Sequence, residues 1–252
     1  VDKDGLLMGG DETTQLTWMD ASADGQAVTP RHGKPVEVNA LWYNACRIME
    51  EFAGILNKVE EGRRFESLAG RARRSFQRAF WNPDKGCLFD CVREGNADGS
   101  IRPNQVFALS LPFPLLSGEK ARRLLKAVER ELVIPLGLRS LSPEDGRYVG
   151  RYEGDQKERD RAYHQGTAWA WLVGPHLAAY VRVHRGERAW RRAEGILAAF
   201  EEHLSDAGVG TISENFDGDS PHQPRGCISQ AWSVAAVLEA YWSGVAGGFR
   251  RG

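Results

Sequence analysis

Residues 163 to 181, Tyr163-His164-Gln165-Gly166-Thr167-Ala168-Trp169-Ala170-Trp171-Leu172-Val173-Gly174-Pro175-His176-Leu177-Ala178-Ala179-Tyr180-Val181, decide the fold. A short polar head runs into a long segment that carries no Lys, Arg, Asp or Glu. A helix apolar on nearly every face has to be surrounded by protein, so this reads as an inner helix. Three more segments share the pattern: ALWYNACRIM after Asn39, VFALSLPF after Gln105 and AWSVAAVLEAYW after Gln230. Their polar heads are Lys34 to Asn39, Arg102 to Gln105 and Pro224 to Gln230. Counted from Pro35, Arg102, His164 and Arg225, the heads recur at 67, 62 and 61 residues, the mark of a structural repeat.

Between the inner segments lie amphipathic ones. Phe65, Leu68, Ala69, Ala72, Phe76, Ala79 and Phe80 recur at three- and four-residue steps among charges. So do Ala121, Leu124, Leu125, Val128 and Leu132, and again Trp190, Ala193, Leu197, Phe200 and Leu204. Such stripes belong to outer helices, wet on one side. Alternating inner and outer helices predict an all-α toroid, an (α/α)6 barrel of helical hairpins. About four hairpins fall within residues 1–252, which is read as one domain holding the C-terminal portion of the ring, with the upstream helices absent. The lack of an initiator methionine points the same way. Parallel inner helices would bring the four heads, with their free N–H groups and positive dipole ends, to one end of the ring. Pro83-Asp84-Lys85-Gly86 followed by residues 87–92 predicts one small β-hairpin, and residues 135–160 a polar loop walling the substrate side.

Composition sets limits. Lys and Arg number 33 against 34 Asp and Glu, a net charge of −1, so no basic excess exists to drive nucleic-acid or membrane-surface binding. No uncharged stretch reaches the roughly 20 residues of a membrane span. Four unpaired-looking cysteines fit reduced thiols in a cytoplasmic protein, and no metal or other cofactor is expected.

Two loops combine carboxylate, aromatic and turn residues beyond what packing requires. Gln15 to Ala21 contains Trp18 and Asp20; Ile212 to Gly218 contains Glu214. Each leads into a polar head, so Asp20 and Glu214 should meet at the same end of the ring. Two carboxylates facing each other across a pocket form the apparatus of glycosidic-bond hydrolysis. Asp11 and Asp24 flank the first and Asp217 and Asp219 the second, with Asp217 read as a turn residue. Trp18, Arg31, Lys34, Glu37, Asn39, Tyr43, Asn104, Gln105, His164, Gln165, Trp169, Arg225, Gln230 and Trp232 are the candidates for sugar contact, each with a helix-capping or packing role as the plainer alternative. Arg225 and the N–H groups ahead of the last inner helix are expected to face Glu214.

Six ordered strings, QLTWMDA, GKPVEVNALWYNA, RPNQVFALSLPF, GLRSLSP, YHQGTAWAWLVGP and SENFDGDSPHQPRGCISQAWSVAAVLEAYW, give the chain from Gly5 to Trp242 a resemblance to the glucosidase domain of glycogen debranching enzymes, the amylo-α-1,6-glucosidase family. The resemblance implies an (α/α)6 barrel, branched α-glucan such as glycogen or limit dextrin as the partner, and hydrolysis of the α-1,6-linked glucose at a branch stub. It implies Asp20 as general acid and Glu214 as general base of an inverting reaction. Other readings are a glucoamylase-like or trehalase-like hydrolase, a carbohydrate-binding fragment that self-associates through an open edge, and, last, an epimerase of toroid type.

Overall fold

The computed structural model describes residues 1–242. Eight α-helices form its frame: α1 Val36–Ile55, α2 Val59–Ala79, α3 Phe107–Ser110, α4 Gly118–Glu131, α5 Gln156–Ala162, α6 Val173–His184, α7 Gly186–His203 and α8 Ala231–Glu239. The inner helices α1, α3, α6 and α8 touch in that order, forming an arc. The outer helices lie behind it, α2 on α1, α4 on α6 and α7 on α6. Each outer helix buries the stripe its spacing marked: Ala69, Ala72 and Phe76 in α2, Ala121, Leu124, Leu125 and Val128 in α4, Ala193, Leu197 and Phe200 in α7. One contiguous apolar core runs between the inner and outer helices. No helix among the described residues is long and apolar enough to cross a membrane.

The chain is mainly helical rather than all-α, which corrects the expectation from periodicity. Four small antiparallel sheets connect the helices. The largest has five strands in the order Pro224–Arg225, Asn215–Phe216, Ala168–Trp169, Gly137–Arg139 and Val133–Ile134. It takes the first two residues of the predicted third inner helix, Ala168 pairing with Arg139 and Phe216. After these two residues comes a 3-10 turn over Ala170–Leu172, so the helix proper starts at Val173. Aromatic and apolar residues at a strand edge favour pairing once a partner is in reach, which an apolar run alone cannot reveal. Gly137 makes the pairing possible, because a Cβ there would lie 2.7 Å from the Trp169 carbonyl oxygen.

The second inner helix is also shorter than its apolar run. A 3-10 turn over Pro103–Val106 continues into α3, and the helix stops at Leu111, ahead of Pro112 and Pro114. The residue before proline is driven out of the helical region, which accounts for the stop. Two hairpins replace the single one predicted near residue 87: Trp81–Asn82 with Cys87–Leu88, and Cys91–Arg93 with Asn96–Asp98. The polar stretch 135–160 is ordered by the strand at Gly137–Arg139 and by α5, whose N-terminus carries a capping box formed by Asp155 and Glu158.

The inner helices are covered in the middle of the arc and open at its ends. On α1, Leu41, Met49, Phe52 and Ile55 are exposed; on and just beyond α8, Trp232, Leu238, Tyr241 and Trp242 are. The four apolar faces were expected to be surrounded by protein, and these two are not. Residues 243–252, included in the single domain read from sequence, lie outside the described residues.

Candidate active site

The four polar heads meet, and hydrogen bonds join them in sequence order. Between the first and second heads stands Asp90. Its carboxylate takes the Arg31 Nε at 2.7 Å and the Asn104 amide at 2.7 Å, while the other edge of the Arg31 guanidinium pairs with Glu37. Burial opposes the charge on Arg31, but Asp90 and Glu37 outweigh it and hold the guanidinium protonated far above its ordinary range. Between the second and third heads, Arg102 donates to the His164 carbonyl at 2.7 Å and to the Gln165 side chain at 2.8 Å. Burial pulls Arg102 down to about 10. Between the third and fourth, Tyr163 and Gln230 both reach Glu214.

Glu214 sits in a cradle of donors. The Tyr163 hydroxyl donates to Oε1 at 2.5 Å, the Gln230 amide to Oε1 at 3.3 Å and the Cys227 backbone N–H to Oε2 at 2.9 Å. Burial, then the bond to Glu214, pushes the Tyr163 phenol above the usual tyrosine range, so it stays a donor. Gly226 lies against the carboxylate with φ of +64°, and a Cβ there would fall 2.2 Å from Oε2. Both the left-handed conformation and the close approach require glycine. The loop at 148–153 builds a wall over this motif: the Tyr148 hydroxyl reaches Asp219 at 3.0 Å and the Tyr152 N–H reaches Asp217 at 2.9 Å. Tyr152, Arg159, Glu214, Arg225, Gly226 and Cys227 line a cleft of about 520 Å³. A larger hollow of about 700 Å³, among Leu111, Pro112, Gly174 and Arg182, contains neither carboxylate of the pair.

Aromatic rings connect this cradle to the Asp20 loop. Trp18 stands edge-on to His164 at 5.2 Å, to Trp169 at 5.4 Å and to Trp171 at 5.1 Å. The His164 ring lies 4.7 Å from that of Tyr163, whose hydroxyl holds Glu214. Trp18 is fixed by its indole N–H, which donates to Asn104 at 2.7 Å. Gln165 also reaches across, donating to the Val28 carbonyl just beyond the first motif. Asp20 itself is exposed, one residue beyond the buried Met19. Loops nearly two hundred residues apart in sequence thus share one floor.

The sugar-contact candidates divide by depth. Arg31, Glu37, Asn39, Tyr43, Asn104, Gln105, His164, Gln165 and Trp169 are buried. Their polar atoms mostly serve the protein: Asn39 ties down Leu7 and Pro35, Gln105 bonds Leu88 and Arg102, and the Trp169 indole bonds the Tyr163 carbonyl. His164 differs, since neither ring nitrogen has a partner among the described residues. Burial, with Arg102 and Arg31 nearby, pushes it down to about 3, so it is a neutral ring stacked on Trp169. Lys34 is paired with Asp2 and Asp4 at the edge. Trp18, Arg225, Gln230 and Trp232 remain at the surface of the floor.

Two expectations change. Arg225 pairs with Asp217, at 2.9 Å, and not with Glu214, whose donors are Tyr163, Gln230 and Cys227. Asp217 is accordingly a fully buried ion-pair partner and not a turn residue. Sequence reasoning also missed Asp90, Arg102, Tyr163 and Cys227, while Tyr152 lies in the loop expected to wall the substrate side. Arg102 and Tyr163 stood inside quoted motifs, whereas Asp90 carried no signal beyond being a lone carboxylate within an apolar stretch.

Comparison with known proteins places this arrangement. Residues 1–239 match the amylo-alpha-1,6-glucosidase family, almost the whole chain. The chain belongs to that family. This amylo-alpha-1,6-glucosidase family member is 26% identical over 221 residues to the glycogen debranching enzyme of Saccharomyces cerevisiae, a match covering 71% of this chain and 14% of that enzyme. Its fold resembles that of an uncharacterized conserved protein from Thermus thermophilus, with a TM-score of 0.59, 19% identity and coverage of 83% of this chain and 48% of that one. It also resembles a GH63 mannosylglycerate hydrolase from the same organism, with a TM-score of 0.60, 17% identity and coverage of 83% and 46%. The chain thus spans a small part of the curated relative and about half of each solved neighbour, and at these identities the likeness to the solved structures is one of fold.

Proposed function

We propose that the chain hydrolyses the α-1,6-linked glucose at branch stubs of glycogen or limit dextrin, with inversion, and that its hairpins form part of an (α/α)6 barrel. Asp20 is the general acid and Glu214 the general base. The observation that carries the reading is the cradle of Glu214, which the ring contacts of Tyr163, His164 and Trp18 join to the loop carrying the exposed Asp20. Family membership supports the choice of bond and substrate.

In the reaction Asp20 protonates the glycosidic oxygen as that bond breaks. Glu214 takes a proton from a water that attacks the anomeric carbon from the opposite face. Room for that water calls for a carboxylate separation of about 6.5–9.5 Å once substrate is bound. The part-exposed Trp18 and the exposed Trp232 offer apolar ring surface to a sugar. The test is glucose release from a branched limit dextrin, with the anomer read by proton NMR. β-Glucose is the expected first product, and Asp20→Asn or Glu214→Gln should each lower kcat by about 10²–10⁴-fold. First-formed α-glucose, or full turnover by Asp20→Asn, overturns the assignment. Linear maltodextrin and trehalose, assayed beside the branched substrate, decide between this linkage and the related α-glucosides.

A further inference from the structure

The donors around Glu214 are unevenly distributed, and the unevenness selects one of its two oxygens. An ionised carboxylate offers about four lone-pair directions, two on each oxygen. Oε1 receives both the Tyr163 hydroxyl, at 2.5 Å, and the Gln230 amide, at 3.3 Å. Oε2 receives the Cys227 N–H alone, at 2.9 Å. It is also Oε2 that lies over Gly226, an exposed residue lining the cleft whose missing side chain leaves that direction unobstructed.

We infer that Tyr163 is a positioning residue: by saturating Oε1 it leaves Oε2, above Gly226, as the atom that receives the proton of the attacking water. The inference rests on Glu214 being the base. In that step a water O–H bond breaks and its proton moves to Oε2. The hydroxide oxygen bonds the anomeric carbon, and the glycosidic bond breaks with its electron pair going to the leaving oxygen, which Asp20 protonates.

Tyr163 is built to hold one direction. Its ring is flanked by His164 at 4.7 Å, by Trp169 edge-on at 4.9 Å and by Tyr152 at 5.4 Å. Its carbonyl accepts from the Thr167 hydroxyl at 2.5 Å and the Trp169 indole at 3.1 Å. A group fixed on three sides loses little freedom by orienting its partner. The other ionisable groups lining the cleft are Tyr152, Arg159, Arg225 and Cys227. Arg225 is already committed to Asp217 and Glu153.

Tyr163→Phe removes one oxygen and keeps the ring. Its kcat on a branched limit dextrin should fall about 10- to 100-fold, with KM within about threefold, because the substrate-facing surface is retained. A variant that melts like the wild type and keeps its kcat within about twofold overturns the inference. 3,5-Difluorotyrosine at 163, a stronger donor of nearly the same shape, serves if the phenylalanine variant fails to fold; it should change kcat and leave KM in place, and an unchanged kcat overturns the inference. Ring-carbon NMR of Tyr163 gives a readout that needs no turnover. Burial and the bond to Glu214 both push its ionisation to higher pH, so Glu214→Gln should bring its titration to lower pH, whereas a fixed titration means the bond is absent and the inference fails. A wild type that releases no glucose, with that NMR shift intact, refutes the assigned reaction and leaves the hydrogen bond standing.

Discussion

Replacing Gly226 with alanine tests the geometry of the cradle most directly. The backbone at 226 has φ of +64°, and holding an alanine in the left-handed region costs about 1–2 kcal/mol. The added methyl would lie 2.2 Å from Oε2 of Glu214 and 3.2 Å from the Asn215 amide, inside any real contact distance for the first. The carboxylate therefore has to retreat by about 1 Å, a misplacement that costs an active site about 10²-fold in rate. That rate corresponds to about 2.7 kcal/mol of transition-state stabilisation. The retreat also stretches the Cys227 N–H bond to Oε2. Thermal stability should drop by about 2–8 °C, from the backbone term at about 2–4 °C per kcal/mol for a chain of this size. Asparagine at the same position separates the two effects. It tolerates the left-handed region better, so its melting loss should be smaller, yet it carries the same Cβ and should lose as much kcat. The assays are steady-state glucose release from limit dextrin and differential scanning calorimetry. Full kcat in Gly226→Ala would refute the close approach of Glu214 to this glycine and the role built on it.

Removing Arg31, as in Arg31→Met, leaves Glu37 buried without its cation and Asp90 with only Arg102, 3.9 Å away, and should cost about 3–5 kcal/mol in urea unfolding, far more than any exposed pair on α2 or α7. Burial lowers His203 and, further still, two other histidines, His164 to about 3 and His176 to about 4. Because the unfolded chain binds their protons below about pH 6.5 and the folded chain does not, stability should fall as pH drops from about 6.5 toward 4, by about 1.4 kcal/mol per pH unit for each of the latter two; His176→Phe should flatten that slope in urea melts. The open apolar faces of α1 and α8 should make the chain self-associate, so light scattering should give a mass that rises with concentration, and Leu238→Glu with Phe52→Glu should return it to the monomer value.

Much of the architecture can be read from residue spacing because its cause is local. The stripes of α2, α4 and α7 are buried as their periods require, since a three-and-four spacing of Phe, Leu and Ala has few other uses. The heads converge where side chains of one reach the next, Arg31 and Asn104 meeting on Asp90, Arg102 reaching His164 and Gln165, and Tyr163 and Gln230 meeting on Glu214. What spacing could not supply depends on partners distant in the chain. Ala168 and Trp169 form a strand because Leu138 and Arg139 on one side and Asn215 and Phe216 on the other offer edges to pair with. Arg225 turns to Asp217, the more deeply buried of the two carboxylates, while three other donors hold Glu214. Asp90 is the clearest case. A single carboxylate between two short strands has no signature of its own, and its importance comes from Arg31 and Asn104, both remote from it in sequence.

The links that join the heads run in series. One run passes from Glu37 through Arg31 and Asp90 to Asn104, and another from Arg102 to the His164 and Gln165 pair, whose chain neighbour Tyr163 holds Glu214. Substitutions at neighbouring links share partners, so their effects should not add. Variants sought for a new sugar preference would therefore be found sooner by changing adjacent links together than by combining the best single changes.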